Sequence, residues 1–287
     1  MSMVRELKYF LGLQVAQDED GTRMHQQKYV REILKKFGME SAKTYATPMS
    51  PNDSLAEDES SLQVDSTLYR GMIGSLMYLM ASRPNILFSV CLCARFQVDP
   101  RETHVKAVKR ILRYLKRTDN LCLFYPKGGD LRLMAYTDAD YAGCKIDGKS
   151  TSGMSQFLGP CLISWGSKKQ SSIALSTAEA EYITAAACCA QLLWIKQQLS
   201  DYGVHLECVS ILCDNTSAIN ILKNPVQFSR TKHIEIRYHF LRDCVEKGTI
   251  AMEYCRTEEQ IADIFTKALH REPYEKLRLE LGMTSLT

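Results

Sequence analysis

The sequence has no long apolar run and no signal-peptide core. Its longest apolar stretch, ILFSVCLCA at 86–94, is far shorter than the roughly 20 residues that a helix needs to cross a bilayer. The first ten residues, MSMVRELKYF, lack the apolar segment of a secretory signal. We therefore expect a soluble protein that is not secreted and has no membrane partner.

The sequence also has no C-x-x-C pair, although it contains 11 cysteines. The cysteines are scattered through apolar segments, as at Cys91, Cys93, Cys188, Cys189 and Cys213. Such spacing does not favour a zinc site or a disulfide framework. We expect reduced cysteines in the core of an intracellular protein.

The composition is that of an ordinary soluble globular protein, with 45% hydrophobic and 24% charged residues. A length of 287 residues allows one large domain or two moderate ones. The net charge of +3 is uneven, because residues 1–125 carry 18 Lys and Arg against 14 Asp and Glu, whereas residues 126–287 carry 18 against 19. The basic half suits a polyanion, and the other half, where carboxylates cluster, suits divalent cations.

The first half of the chain is predicted to be mainly helical after a short hairpin. Gly38 follows an amphipathic segment and predicts a helix end, and a stretch rich in Pro, Ser and acids predicts a linker. The predicted elements are two strands around Asp20-Gly21, a helix from about Gln27 to Gly38, a linker at 47–66, a helix at 68–81 in which Gly71–Gly74 allow a break, and a helix at 85–96.

A further helix, predicted over 102–117, is strongly basic outside its apolar stripe. No residue in 103–117 is acidic. A charged face is usually just solvated, but a face with one sign of charge lacks the i,i+4 ion pairs that stabilise solvated helices, and it suits contacts with nucleic-acid phosphates. Both interpretations stay open for the basic residues Lys106, Lys109, Arg110 and Arg113.

The second half alternates strand and helix patterns after a PKGGD hinge at 126–130. This order predicts an α/β domain in which helices cover a mixed sheet. The expected elements are strands at 131–138, 153–159, 161–166, 208–213 and 249–255, helices at 177–201, 215–223, 232–246 and 258–269, and a short terminal helix in PYEKLRLELGM.

Two carboxylates stand at the ends of otherwise apolar elements. Asp138 ends the strand pattern LRLMAYTD, and a side chain at a strand end suits a metal ligand. Ser176 and Glu179 have the spacing of a capping box, in which Glu179 accepts the Ser176 backbone N–H. Glu181 lies beyond that box at the head of an apolar helix stripe, where a carboxylate needs a cation or a proton.

Two further acids have structural explanations of their own. Asp214 follows the buried strand VSILC and precedes a helix, which is the place of an N-cap. Asp263 lies in TEEQIADIFTK, where it can pair with Lys267 on a surface and where Thr257 and Gln260 predict a capping box. Taken one at a time, these carboxylates are therefore explained by structural roles as well as by a functional one.

Seven segments, in order, resemble the ribonuclease H domain of copia-type retrotransposon Pol polyproteins. They are YTDADYAG, KSTSG, SWGSKKQ, LSTAEAEY, CDNTSAI, RTKHIEIRYHFLRD and ADIFTK. The part before them resembles the tail of the reverse transcriptase of the same polyproteins. The domains implied are 1–46 (tail of the reverse transcriptase palm), 47–66 (linker), 67–125 (helical thumb- or connection-like region), 131–270 (ribonuclease H-like domain) and 271–287 (carboxy-terminal tail).

The resemblance implies an α/β, ribonuclease H-like fold with a mixed five-stranded sheet and flanking helices, preceded by a mainly helical region. It implies cleavage of the RNA strand of RNA–DNA hybrids with two Mg²⁺ ions, or Mn²⁺ in their place, held by Asp138, Glu181, Asp214 and Asp263. It also implies a cytoplasmic location in virus-like particles, or a nuclear one, with other parts of the Pol polyprotein or a polymerase subunit as partners. The implied nucleic-acid contacts are Lys149, Ser150, Ser152, Ser167, Lys168, Gln170 and Asn215.

Two features of the family are missing from this sequence. It contains no aromatic-x-Asp-Asp segment of the kind that binds metal in a reverse transcriptase palm. We therefore interpret the chain as a fragment and expect no polymerase activity from it alone. Many ribonucleases H also have a histidine shortly before the last acid, whereas this chain reads YCRTEEQ there, which predicts less efficient turnover.

Two other functions compete with this one. GCKIDGKS at 143–150 matches the phosphate-loop pattern of nucleotide hydrolases. A phosphate loop must lead into a helix whose first amides hold the phosphates, however, and the following SGMSQFLG is predicted to be a strand. A catalytically inactive, nucleic-acid-binding remnant of a retroelement would keep the basic helix and need no metal, but the presence of all four acids argues against it.

Overall fold

The computed structural model describes residues 8–52, 55–56, 60–223 and 232–286, and their side chains except those of 232–238. The chain divides into two compact units. Unit 1 comprises Met1–Gly128 and Ala268–Thr287, and unit 2 comprises Gly129–Lys267. None of the helices in the described ranges has both the length and the apolar character that crossing a bilayer requires.

Ten strands and eight α-helices are described, together with three short 3-10 helices at Pro84–Ile86, Thr257–Glu259 and Ile261–Phe265. In chain order they are β1 (Tyr9–Phe10), β2 (Leu13–Gln17), β3 (Gly21–His25), α1 (Gln27–Lys36), α2 (Ser66–Leu79), α3 (Leu87–Ala94), α4 (Glu102–Arg117), β4 (Leu121–Pro126), β5 (Leu133–Asp140), β6 (Thr151–Leu158), β7 (Cys161–Lys169), α5 (Thr177–Asp201), β8 (Val209–Cys213), α6 (Thr216–Lys223), α7 (Lys232–Glu246), β9 (Ile250–Tyr254), α8 (Arg271–Glu280) and β10 (Met283–Ser285).

Unit 1 contains an antiparallel sheet with the strand order β1-β2-β3-β4-β10. The sequence patterns predict neither β4 nor β10, because these strands pair across most of the chain, as Leu123 does with Met283. The end of the chain, which was expected to be a separate tail, therefore packs as part of unit 1.

The helices of unit 1 agree with prediction at α1 and α4 and differ at α2 and α3. Gly38 has a φ of +64° and follows the end of α1. Helix α2 runs through Gly71 and Gly74 without a break. The next predicted helix begins as a 3-10 turn at Pro84 and ends at Ala94, which is shorter than the apolar pattern predicts.

The predicted linker is partly packed against α4. Thr47 and Met49 are buried, and Thr47 Oγ1 accepts a hydrogen bond of 3.1 Å from Arg110. The carbonyl oxygen of Ala56 lies 3.0 Å from His104 Nε2. Residues 53–54 and 57–59 of the linker lie outside the described residues.

The basic side of α4 holds the segment before the linker in place. The guanidinium of Arg110 lies 4.6 Å from the centre of the Tyr45 ring, and that of Arg113 lies 5.7 Å from it. Lys106 pairs within the helix at 3.1 Å. Three of the four residues predicted to contact phosphates thus have partners within unit 1, and Lys106 and Lys109 are exposed.

Unit 2 is built on a mixed sheet with the strand order β7-β6-β5-β8-β9. Strand β6 is antiparallel to both of its neighbours, whereas β8 runs parallel to β5 and β9. Helix α5 packs on this sheet, with Ala135, Leu192 and Ile211 in one buried cluster. This is the predicted ribonuclease H-like fold, and it brings the carboxyl ends of β5 and β8 to one edge, where α/β sheets bind ligands.

The segment 258–269 does not form the predicted helix. The chain forms two short 3-10 helices that are divided at Gln260. Gln260 Oε1 accepts the N–H of Ala262 at 3.3 Å, and its Nε2 donates to the Thr137 carbonyl at 2.9 Å. Because this side chain is bonded to β5, the chain turns at Gln260, and the predicted capping box is wrong.

The phosphate-loop interpretation is wrong because residues 143–150 join two antiparallel strands. Strand β6 begins at Thr151, directly after the loop, where a phosphate loop would lead into a helix. Within the loop the N–H of Gly148 donates to the Cys144 carbonyl at 2.8 Å. Asp147 pairs with Lys169 of β7 at 2.9 Å. The glycines and lysines of this motif therefore belong to a hairpin connection.

Candidate functional site

Asp138 and Asp214 lie at the same edge of the unit 2 sheet. Tyr136 of β5 is opposite Leu212 of β8, and continuing this register by two residues places Asp138 opposite Asp214. Adjacent strands are about 4.8 Å apart. Strand β5 continues past Asp138 to Asp140, because β6 still pairs with it there. Asp138 is therefore not the terminal strand residue that the sequence pattern predicts.

Glu181 reaches this edge from the first turns of α5. Ser176 Oγ accepts the N–H of Glu179 at 3.2 Å, as predicted. Glu179 Oε2, however, accepts the Leu175 N–H at 2.7 Å, so the predicted second bond of the capping box, to the Ser176 N–H, is wrong. The side chain of Glu181 is 5% exposed, and its carboxylate accepts the backbone N–H of Ala139.

Asp263 comes to the site on the 3-10 helix Ile261–Phe265. It is 8% exposed, so it is not the surface acid that its spacing from Lys267 allowed. The ion pair itself is present, with Lys267 Nζ 2.9 Å from Asp263 Oδ1. Thr266 donates its hydroxyl to Asp138 Oδ2, which binds this turn to β5.

Asp214 does not cap the helix that follows it. The cap of α6 is the next residue, Asn215, whose Oδ1 accepts the N–H of Ala218 at 3.0 Å. Asp214 Oδ2 instead accepts the hydroxyl of Thr257 at 2.9 Å. Its side chain is partly exposed, so an ion or a substrate can reach this end of the cluster.

Burial and neighbouring carboxylates raise the pKa of two of the four acids. Burial, followed by the carboxylates of Asp138 and Asp214, raises the pKa of Glu181 to about 9. Burial, followed by Asp138, raises the pKa of Asp263 to about 7, although Lys267 opposes that rise. Such shifts arise where carboxylates are gathered with too little positive charge around them. A divalent cation would supply that charge, and the four acids offer it the hard oxygen ligands that Mg²⁺ and Mn²⁺ prefer.

Three residues that support the cluster were not predicted as site residues: Gly153, Gln260 and Thr266. Gly153 is opposite Asp138 in the sheet. A Cβ added at Gly153 would lie 2.5 Å from Thr266 Cγ2 and 2.8 Å from the Ala262 carbonyl oxygen. The KSTSG and ADIFTK segments contain two of these residues, but nothing local in the sequence indicates that the two segments touch.

Replacing Gly153 by alanine is expected to destabilise unit 2 by about 1–3 kcal/mol, the usual cost of overpacking, because the added methyl must displace the turn that carries Thr266. The free energy of unfolding, from urea titration, measures this. Gly166→Ala is the matched control in the same sheet, since its Cβ would meet the flexible side chain of Met154, at 3.3 Å. Equal losses of unfolding free energy in Gly153→Ala and Gly166→Ala would contradict the close contact between Gly153 and the turn that carries Thr266.

The residues predicted to contact nucleic acid differ in accessibility. Ser150, Ser152 and Gln170 are buried, and Gln170 Nε2 donates to Ser152 Oγ at 3.0 Å and to the Ala180 carbonyl at 2.9 Å. Gln170 therefore links β6 to α5, and Ser150 Oγ accepts the N–H of Ala142 at 3.2 Å, so these side chains have partners within unit 2. The exposed or partly exposed residues are Lys149, Ser167, Lys168 and Asn215, and contact with nucleic acid stays a prediction for the whole set.

Sequence comparison finds similar proteins over nearly the whole chain. The chain is 40% identical over 280 residues to the retrovirus-related Pol polyprotein from transposon RE1 of Arabidopsis thaliana, covering 97% of this chain and 19% of that protein. It is 36% identical over 284 residues to that from transposon TNT 1-94 of Nicotiana tabacum, covering 96% and 21%. The chain therefore spans about a fifth of the length of these relatives. No protein-family model matches it.

Structural comparison finds likeness of fold at low sequence identity. The structure of a foamy viral protease-reverse transcriptase in complex with dsDNA has a TM-score of 0.51 and 10% identity, covering 87% of this chain and 44% of that chain. RNase H1 from the halophilic archaeon Halobacterium salinarum has a TM-score of 0.33 and 14% identity, covering 47% and 94%.

Proposed function

The chain belongs to the family of copia-type retrotransposon Pol polyproteins, and on this premise we propose that unit 2 is a ribonuclease H that hydrolyses the RNA strand of RNA–DNA hybrids. One observation carries the proposal: four carboxyl groups from four different elements meet at the edge of a mixed sheet, and two of them have strongly raised pKa values. A cluster with this excess of negative charge has the chemistry of a two-metal nuclease site.

Asp138, Glu181, Asp214 and Asp263 would hold two Mg²⁺ ions, or Mn²⁺. When bound, these ions would activate the attacking water and stabilise the leaving oxygen. The neighbouring residues fix the orientation of the acids. Thr266 holds one oxygen of Asp138, Thr257 holds one oxygen of Asp214, and Lys267 balances part of the charge of Asp263.

The hybrid would approach along the side of the cluster where Asp214 is accessible. Lys149 and Lys168 of unit 2 would contribute positive charge for phosphate contacts, which are sensitive to salt. In unit 1, Lys106 and Lys109 are the exposed members of the basic set on α4. We also propose, from the family alone, that the protein acts in the cytoplasm, within a virus-like particle, beside the rest of a Pol polyprotein.

The proposal is tested by incubating the full chain with an RNA–DNA hybrid labelled in the RNA strand. We expect endonucleolytic cuts in that strand with Mg²⁺ or Mn²⁺, no cuts in EDTA, and no cuts in double-stranded RNA or DNA of the same sequence. Cleavage that persists in EDTA would contradict a metal site. Hybrid binding without any cleavage at saturating Mg²⁺ would favour the inactive nucleic-acid-binding alternative.

A further inference from the structure

One side of the acidic cluster contains a sulfur atom. Glu181, Cys213 and Asp214 each offer a ligand atom, and these three atoms lie within 4.8 Å of one another. Cys213 is the last residue of β8 and is fully buried. Its Sγ lies 4.0 Å from Glu181 Oε2. The thiol therefore adjoins the two carboxylates that would hold one of the proposed Mg²⁺ ions.

A thiol is a poor ligand for the metals that the proposed reaction uses. Mg²⁺ and Mn²⁺ prefer carboxylate and water oxygens, whereas sulfur ligands select softer cations such as Zn²⁺ and Cd²⁺. A set of two carboxylates and one thiolate is therefore better suited to Zn²⁺ or Cd²⁺ than to Mg²⁺. Nothing in the proposed hydrolysis requires a sulfur atom at this position.

The carboxylate of Glu181 also lacks a full countercharge where it lies. It is 5% exposed, and its identified contacts include the backbone N–H of Ala139 and the thiol of Cys213. Both are neutral groups, so neither balances the charge of the carboxylate, and Lys267, whose positive charge also acts on Glu181, is itself paired with Asp263. A cation between Glu181 and Cys213 would balance the charge of the carboxylate, and on binding it Glu181 and the thiol would each release a proton to solvent.

We propose that Glu181, Cys213 and Asp214 form a binding site for a thiophilic divalent cation, Zn²⁺ or Cd²⁺, which excludes Mg²⁺ from the same two carboxylates and stops hybrid cleavage. Binding of the cation does not depend on the proposed nuclease function. Inhibition rests on that function, because a Mg²⁺ ion must be displaced for cleavage to stop. The two parts can therefore be tested separately.

Cation binding is tested by titrating Cd²⁺ into the full chain without Mg²⁺ and following the ultraviolet absorption of the sulfur-to-cadmium bond. We expect the tightest binding step to be lost in Cys213→Ser and retained in two controls. Cys255→Ser removes a nearby buried thiol whose Sγ already accepts a bond from Gln260, and Cys208→Ser removes an exposed one. Cd²⁺ should also raise the thermal midpoint of the wild-type protein but not that of Cys213→Ser.

Identical Cd²⁺ titrations of the wild-type protein and Cys213→Ser would overturn the proposal. If Cys213→Ser does not fold, Glu181→Gln replaces it as the test variant, because it keeps the thiol and removes one carboxylate charge. The dissociation constant of the tightest Cd²⁺ step should then rise about tenfold or more, because even the loss of a residue that only supports a metal ligand weakens metal binding by about that factor. An unchanged affinity in that variant would equally overturn the site.

Inhibition is tested by adding Cd²⁺ to hybrid cleavage at fixed Mg²⁺, with each variant normalised to its own rate. We expect Cys213→Ser to need about tenfold more Cd²⁺ than the wild-type protein for half-inhibition. Equal sensitivity of the two would refute the inhibition. If Cd²⁺ binds through Cys213 but no variant cleaves the hybrid, the proposed nuclease function fails and the cation site stands. If the hybrid is cleaved but no sulfur-dependent absorption appears, the cation site alone fails.

Discussion

Glu181→Gln is expected to lower the rate of hybrid cleavage by about a thousandfold or more, at least the loss seen when a group that stabilises transition-state charge is removed. Glutamine has nearly the same shape as glutamate but no charge, so the loss would come from weaker metal binding rather than from altered packing. The side chain is buried and accepts the backbone N–H of Ala139 of β5, a bond that the amide oxygen of glutamine can also accept. Single-turnover cleavage at saturating Mg²⁺ measures the effect.

Glu179→Gln is the matched control, two residues away on the same helix. Its Oε2 accepts the Leu175 N–H, and glutamine can keep that bond through its amide oxygen. The variant loses only a negative charge in the first turn of the helix, which is worth about 0.3–1 kcal/mol of stability. We expect near wild-type cleavage. An inactive Glu179→Gln together with an active Glu181→Gln would refute the assignment of the site.

Glu181→Gln also separates the effect of charge from that of packing in the metal-free protein. The Glu181 pKa is about 9 in the folded protein against 4.5 ordinarily, so the unfolded chain releases this proton first and the folded state loses stability as pH rises from about 4.5 towards 9. Glutamine has no proton to lose. In EDTA the thermal midpoint of Glu181→Gln should therefore exceed that of the wild-type protein near about pH 8 and approach it below about pH 4.5. If the thermal midpoints of Glu181→Gln and the wild-type protein change with pH in parallel, Glu181 is not a buried carboxylate without a compensating charge.

Asp138→Asn is expected to abolish hybrid cleavage, because Asp138 is the acid next to both Asp263 and Glu181. Its charge contributes to the raised pKa of each of these two residues, so it lies between them in the cluster. Asparagine keeps an oxygen that can accept from Thr266, which preserves the turn but removes the charge that binds metal. The expected loss of rate is about a thousandfold or more, and hybrid cleavage at saturating Mg²⁺ measures it.

Asp147→Asn is the matched control for this change. Asp147 lies in the loop that follows β5 and pairs with Lys169 and Lys149. Its replacement removes one carboxylate charge from unit 2 outside the cluster, and we expect cleavage to continue. Metal-dependent cleavage by Asp138→Asn at the rate of Asp147→Asn would show that Asp138 does not bind the metal.

Much of unit 2 follows from local sequence. Helix α5 spans Thr177–Asp201, as predicted, because its cap at Ser176 and its apolar spacing act within a few turns. The strands of unit 2 follow in the same way from alternating apolar residues between turn signals. The four acids could also be selected from the sequence, because the segments that contain them resemble one family, although Asp138 is not the last residue of its strand.

The contacts that hold these residues in place are determined by the tertiary structure alone. Gln260 ends a predicted helix because it bonds to β5, and Thr266 holds Asp138 across 128 positions of sequence. Ser150 and Gln170 have the composition of nucleic-acid contacts, yet they are buried in contact with other elements. Sequence patterns record the propensities of neighbouring residues, whereas hydrogen bonds and burial between distant segments depend on which elements meet when the chain folds. The acids of the proposed site can therefore be selected from the sequence, whereas the residues that support them are determined by contacts that local patterns do not encode.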